Sequence, residues 1–221
     1  MHGRVYTCRM NTRHNHGRAL PTAVILVAAF AAGLAMWFGL NAFSPGVPKT
    51  QAATMYPAPR PVPEFSLTRA DGKPLTRADW QGRWTIAFFG FTNCPDICPN
   101  TLGVMRDVHK ELAAKGLRDK VRFDFISVDP ERDTPETLAR YVTFFSPDFV
   151  GATGSDEQLQ RLTRSLGLLY TRTPTGNGDY SVDHSASVVI IGPKPELVGL
   201  FRPPLDTPAI VADLVALAGR P

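Results

Sequence analysis

Two cysteines, Cys94 and Cys98, are separated by Pro95, Asp96 and Ile97, and a histidine, His184, follows far downstream. On a helix, side chains at i and i+4 lie one turn apart on the same face, so both sulfurs can address one small ion. A Cys-x-x-Cys pair would read as a disulfide oxidoreductase; the extra residue here widens the bite. The plainest alternative is a structural disulfide. Such bridges stabilise most when they close long loops, and this loop is very short. Cysteines at the exit of a buried strand and the start of a helix are instead placed for a lowered pKa and reactivity. Two thiolates and an imidazole suit copper, Cu(I) above all. A closed structural zinc site wants four ligands, and the chain has no Cys-x-x-Cys and no His-x-x-x-His to supply more.

The other candidate groups rank lower. Cys8 precedes a long apolar run and cannot reach the pair, while His2, His14 and His16 belong with it to an N-terminal tail. His109, within Val-Met-Arg-Asp-Val-His-Lys-Glu-Leu, reads as a solvated residue on a polar helix face. Asp129 and Asp133 fall at the end of a strand, on the sheet edge that carries the cysteines. Their plain reading is a helix-entry loop in which Asp133 and Thr134 serve local capping. Asp183 could orient His184 through its second nitrogen. Phe88, Phe89 and Phe91 are expected to form core or pocket wall.

The elements that must position these groups alternate. Phe65–Thr68 reads as a short strand followed by the turn signal Asp71-Gly72. Trp84–Phe91 and Val121–Val128 are continuous apolar runs of strand length, as in central strands buried on both faces. A helix is expected from about Asn100 to Lys115, stopping before Gly116. Thr134-Pro135 opens another, with Thr as N-cap and Pro in the first helical position. Phe149-Val150 begins a short strand, and Ser155-Asp-Glu-Gln158 is a capping box for a helix that stops at Gly167. Residues 175–179 form a loop, Ala186–Ile191 a third buried strand, and Leu197–Phe201 its hairpin partner; Thr207-Pro208 caps a last helix. That order predicts an α/β, thioredoxin-like fold with a mixed central sheet flanked by helices. In such folds a cis-proline lies against the cysteine pair at the place His184 occupies here, so His184 can offer a ring nitrogen to the same ion.

The 221 residues suffice for one well-packed domain and some extra. The net charge of +4 is uneven: six basic residues precede Glu64, the first acidic one, leaving 18 basic against 20 acidic beyond it. The domain is near neutral, which argues against nucleic-acid binding. Residues 19–48 carry no charge, and Thr22–Leu40 is long enough to cross a bilayer, which needs about 20 apolar residues. A cleaved signal peptide is the competing reading, but its apolar region typically runs about 7–15 residues. Trp37, Phe38 and Phe43 fit an interfacial anchor, and no Cys follows that could carry a lipid. Arg4, Arg9, Arg13 and Arg18 precede the span, placing the large C-terminal part outside the cytoplasm. The expected boundaries are a cytoplasmic tail at 1–19, an anchor at 20–43, a proline-rich linker at 44–63 and the folded domain at 64–221. The expected location is a bacterial inner membrane with the domain in the periplasm; a mitochondrial inner membrane facing the intermembrane space is the alternative.

Three segments in order, Phe91-Thr-Asn-Cys-Pro-Asp-Ile-Cys-Pro99, Ser127-Val-Asp-Pro-Glu-Arg-Asp-Thr134 and Val182-Asp-His-Ser185, resemble the SCO/SenC family of membrane-anchored copper proteins that assist cytochrome c oxidase assembly. The resemblance runs from about Pro61 to the C-terminus. It implies one copper ion, Cu(I) or Cu(II), held by Cys94, Cys98 and His184, and suggests a supporting or partner-contact role for Asp129 and Asp133. It also implies a partner in the oxidase subunit with the binuclear copper centre, besides other periplasmic copper chaperones or thiol reductants. Two roles stay open: copper delivery, or reduction of that subunit's cysteines by a redox-active Cys94–Cys98 pair. A peroxidase role is weaker, because Thr92-Asn93-Cys94-Pro95 supplies no adjacent Arg.

Overall fold

A computed structural model of the chain describes residues 19–43, 49–176 and 178–219. It has two compact units, one up to Gly46 and one from Val47 onward. In the first, helix α1 (Ala19–Phe43) holds the apolar stretch Thr22–Leu40. At 1.5 Å per residue those 19 residues span about 29 Å, close to the roughly 30 Å of bilayer hydrocarbon. Val24, Ile25, Leu26, Phe30, Met36 and Trp37 are all exposed on it. Cys8, His2, His14 and His16 lie outside the described residues.

The second unit is built on an eight-stranded mixed sheet. In chain order its strands are β1 (Ala53–Pro61), β2 (Ser66–Arg69), β3 (Pro74–Thr76), β4 (Trp84–Gly90), β5 (Val121–Ser127) and β6 (Val150–Thr153), then β9 (Val188–Ile191) and β10 (Glu196–Phe201). Their spatial order is β1-β10-β9-β4-β5-β6-β2-β3. Strands β4, β5 and β6 are parallel, and the flanking pairs are antiparallel. A separate hairpin joins β7 (Tyr170–Gly176) to β8 (Asp179–His184). The helices are α2 (Ile97–Ala114), α3 (Pro135–Phe145), α4 (Asp156–Ser165) and α5 (Thr207–Ala218). This is the thioredoxin-like α/β arrangement the element order predicts.

The central strands follow from their apolar runs. Ile86, Ala87, Phe88 and Phe89 of β4 and Phe123, Phe125 and Ile126 of β5 are at most 2% exposed, so neither face meets water. Helix α2 ends where Gly116 takes φ +73°, a left-handed conformation that costs glycine nothing. Thr134 caps α3 by accepting the Thr137 N–H, and Ser155 caps α4 by accepting that of Gln158.

Four local readings need correction. Part of the proline-rich linker expected at 44–63 is strand β1, paired with β10. It is an edge strand, where proline's missing N–H is tolerated, and its register breaks between Met55 and Arg60, around Pro57 and Pro59. The carboxylate of Asp213 on α5 fastens its start, accepting the N–H groups of Gln51, Ala52 and Ala53 at 2.7, 2.8 and 2.8 Å. The cap of α5 is Asp206, which accepts the Ala209 N–H at 2.8 Å, and Thr207 is the first helical residue. The loop expected at 175–179 is the tip of the β7–β8 hairpin. His109 is not solvated: it packs edge-on against Phe123 and Phe149, with Nε2 3.5 Å from Asp148.

Candidate metal centre

The cysteines sit where β4 hands over to α2. After Gly90 the chain turns through Phe91–Asp96, and the helix starts at Ile97, so Cys94 lies just before it and Cys98 in its first turn. The N-cap residue, Asp96, makes no capping bond with its side chain; its Oδ1 accepts from Asn100 Nδ2 at 2.6 Å. The free N–H of Cys98 points instead at the Cys94 sulfur, 3.4 Å away. Pro99, also in the first turn, lacks an N–H where the helix has no internal partner for one. The helix therefore aims a donor at one sulfur and carries the other.

Close approach to the sheet fixes Cys98. A Cβ on Gly90 would stand 2.6 Å from the Cys98 sulfur, so the sulfur rests on the glycine's Cα. Cys98 is fully buried, and Cys94 is 9% exposed. Both are free thiols. Burial pushes the Cys98 thiol far above the ordinary range, with the Cys94 sulfur and the Asp133 carboxylate adding to the rise. The lowered pKa expected of a helix N-terminus is thus overridden at Cys98, because removing the group from water outweighs the dipole.

His184 comes from the end of β8, with Nε2 3.3 Å from the Cys98 sulfur. Its Nδ1 lies 3.2 Å from the carbonyl of Ser185. A carbonyl only accepts, so Nδ1 carries the hydrogen and Nε2 turns its lone pair towards the sulfurs. Burial lowers the ring's pKa, keeping it neutral and able to ligate. Phe88 and Phe91 meet the ring edge-on, each with its centroid 5.8 Å away. Ser185 is itself stapled to Leu169: its N–H donates to the Leu169 carbonyl at 2.9 Å and its hydroxyl accepts the Leu169 N–H at 3.0 Å. Asp183 is exposed and influences the ring only through its charge; the orienting role expected of it belongs to Ser185.

Asp129 and Asp133, both fully buried, hold the frame around the site. Asp133 accepts the Thr92 N–H at 2.9 Å and the hydroxyls of Thr92 and Ser127, tying the loop that leads to Cys94 to the end of β5. Its support role is therefore seen, while capping of α3 falls to Thr134 alone. Asp129 accepts the Tyr180 hydroxyl. The Arg132 guanidinium lies 3.5 Å over the Tyr180 ring and donates to the Tyr180 carbonyl at 2.7 Å. Arg172 donates to the Val128 carbonyl at 2.8 Å. These contacts latch the β7–β8 hairpin, and with it His184, to the loop after β5. Sequence reasoning missed Gly90, Tyr180 and Ser185, although the last two flank His184 in the same segment.

Among the described residues, Cys94, Cys98 and His184 form the cluster fit for a metal ion, their ligand atoms all within 4.8 Å of one another. A thioredoxin-like domain with two cysteines around a helix start and a facing histidine is the class that fold and site define. The SCO1/SenC family model matches residues 53–219, and the chain belongs to that family. A putative copper-binding protein of Stutzerimonas stutzeri is 42% identical over 151 residues, 68% of this chain and 74% of that one. The crystal structure of Arabidopsis thaliana ScoI with copper bound has a TM-score of 0.65 and 37% identity, covering 70% of this chain and 95% of that one. The structure of BsSco, a member of the Sco family of cytochrome c oxidase assembly proteins with a disulfide switch, has a TM-score of 0.60 and 25% identity over 78% and 99% of the two chains.

Proposed function

We propose that this chain binds one copper ion through Cys94, Cys98 and His184 and passes it to the copper-centre subunit of cytochrome c oxidase. The observation that carries the reading is the convergence of two sulfurs and an imidazole nitrogen within 4.8 Å. Two thiolates favour Cu(I), and the neutral imidazole adds a donor that also suits Cu(II). Loading expels the thiol protons, so the burial that protects the empty pair also makes capture pH-dependent. Helix α1 would hold the domain at a bacterial inner membrane, on the side away from the arginine-rich tail. The oxidase as recipient rests on family membership and on BsSco's place in the Sco family of cytochrome c oxidase assembly proteins. Thiol reduction of that subunit is the less favoured role, because the imidazole nitrogen set beside the two sulfurs completes a metal-ligand set that disulfide exchange does not need.

Copper titration of the reduced full chain in detergent, followed by absorption, tests the site. One equivalent should bind, and His184→Ala should weaken Cu(II) binding severely. Unchanged Cu(II) affinity in that variant removes His184 from the site. Loss of oxidase assembly in His184→Ala with thiol exchange intact supports delivery, and loss of thiol exchange alone supports reduction.

A further inference from the structure

The parallel strands β4, β5 and β6 have a second working end. At their N-terminal ends, five residues and roughly 16 Å along β5 from Ser127, lies a cavity of about 220 Å³ walled by Arg69, Arg83, Arg118, Arg122, His109 and Asp148, with Asp119 at its side. These arginines are dispersed over more than fifty residues of sequence, and the fold gathers them. We propose that this cavity binds a tetrahedral oxyanion of the phosphate class.

The argument rests on donors left unspent. Arg122, with a side chain only 7% exposed, gives Nε to Asp124 at 2.6 Å and Nη1 to the Asp79 carbonyl at 3.2 Å. Its Nη2 is buried without a hydrogen-bond partner, and so is Nε of Arg69. A buried guanidinium N–H left unpaired is costly, so an acceptor that reached these two would be held strongly. Arg118 holds both oxygens of Asp148 through Nη2 alone, at 2.6 Å each, so its other nitrogens remain free for a ligand. Arg83 is exposed and makes no ion pair among the described residues.

The charges around the cavity nearly cancel, so its donors rather than any excess of charge would hold an anion. Asp71, Asp148 and Asp124 answer Arg69, Arg118 and Arg122 one for one. Burial holds His109 neutral, so it adds no charge. Arg83 and Asp119, both exposed, add one charge of each sign to the lining. The cavity's volume is ample for a phosphate group. Guanidinium forks match phosphate oxygens in geometry, and water gives them no charge to meet. Free phosphate and the phosphomonoester headgroup of a lipid share this chemistry.

Isothermal titration of the full chain in an uncharged detergent, at fixed ionic strength, tests the site with inorganic phosphate in one arm and short-chain phosphatidic acid in the other. Saturable binding in either arm supports the site; the arm that binds more tightly identifies the source. Arg83→Gln and Arg118→Gln change exposed residues and should keep the fold, yet each should weaken binding about tenfold or more, the loss of one charged hydrogen bond. Arg106→Gln, on the outer face of α2 beside Asp107, should change nothing. No heat in either arm beyond the salt control overturns the proposal. Equal weakening in all three variants overturns it too, since that marks diffuse attraction rather than a site.

Discussion

Replacing Gly90 with alanine places a methyl carbon 2.6 Å from the Cys98 sulfur, 3.1 Å from Phe125 Cε2 and 3.3 Å from Phe88 Cε1. An ordinary contact needs about 3.5 Å or more, so sulfur and methyl must separate by about 1 Å. The two rings block the methyl from retreating, and the sulfur is the atom that can yield. Ligand positions in a metal site tolerate about 0.2 Å. A shift several times larger should cost copper affinity about 10–100-fold, the range seen when groups supporting metal ligands are altered. Overpacking should also cost about 1–3 kcal/mol of stability. The matched control is Gly103→Ala on α2, where an added Cβ meets nothing within 4 Å. Competition titration with a Cu(I) chelator, alongside circular dichroism and thermal unfolding, separates affinity from folding. A folded Gly90→Ala protein that binds copper like the parent, with the same absorption, would refute the contact between Cys98 and the sheet as a determinant of the site.

Two further changes test the frame. Tyr180→Phe removes the hydroxyl donated to the buried Asp129, whose other oxygen has no hydrogen-bond partner; a loss of about 1.5–3 kcal/mol is expected in urea unfolding. Cu(II) affinity should fall with it while the reactivity of the cysteines stays unchanged, because His184 rides on the loosened hairpin; equal affinity would show that the latch does not position the ring. Asp213→Ala strips three N–H groups of their acceptor; it should cost about 2–4 kcal/mol and speed hydrogen exchange at Gln51–Met55. A cost under about 0.5 kcal/mol, typical of a surface change, would show that β1 is held by its pairing with β10 alone.

The central strands, the helix starts at Thr134 and Ser155, and the stop at Gly116 were legible because their signals are local: apolar runs, caps and a glycine. The cysteine pair and His184 were legible by type and spacing. The groups that set their geometry were not. Gly90 looks like any strand residue until Cys98 is folded onto it. Strands β7 and β8 are mostly exposed, so they lack the buried alternation that marks a strand. Strand β1 carries Pro57, Pro59 and Pro61, which read as linker, and it is a strand only because β10 and Asp213 lie far along the chain. The anion cavity had no signal at all, since no two of its arginines are neighbours in sequence.

The two halves of the candidate metal centre are held by different kinds of structure, and this bears on how a bound ion could leave. Cys94 and Cys98 are fixed by the main sheet and α2, whose burial on β4 and β5 shares the stability of the whole core. His184 hangs from a two-stranded hairpin outside that sheet, held by the Ser185–Leu169 staple and by polar contacts from Arg132, Tyr180 and Arg172. A few hydrogen bonds at about 1–3 kcal/mol each are far easier to break than the core. Opening the hairpin would remove the imidazole and leave two thiolates, a donor set that holds Cu(I) but poorly satisfies Cu(II). A partner that competes for Arg132 or Tyr180 would therefore loosen Cu(II) selectively without disturbing the cysteines, so the order of loss is set by the architecture: histidine first, sulfurs last.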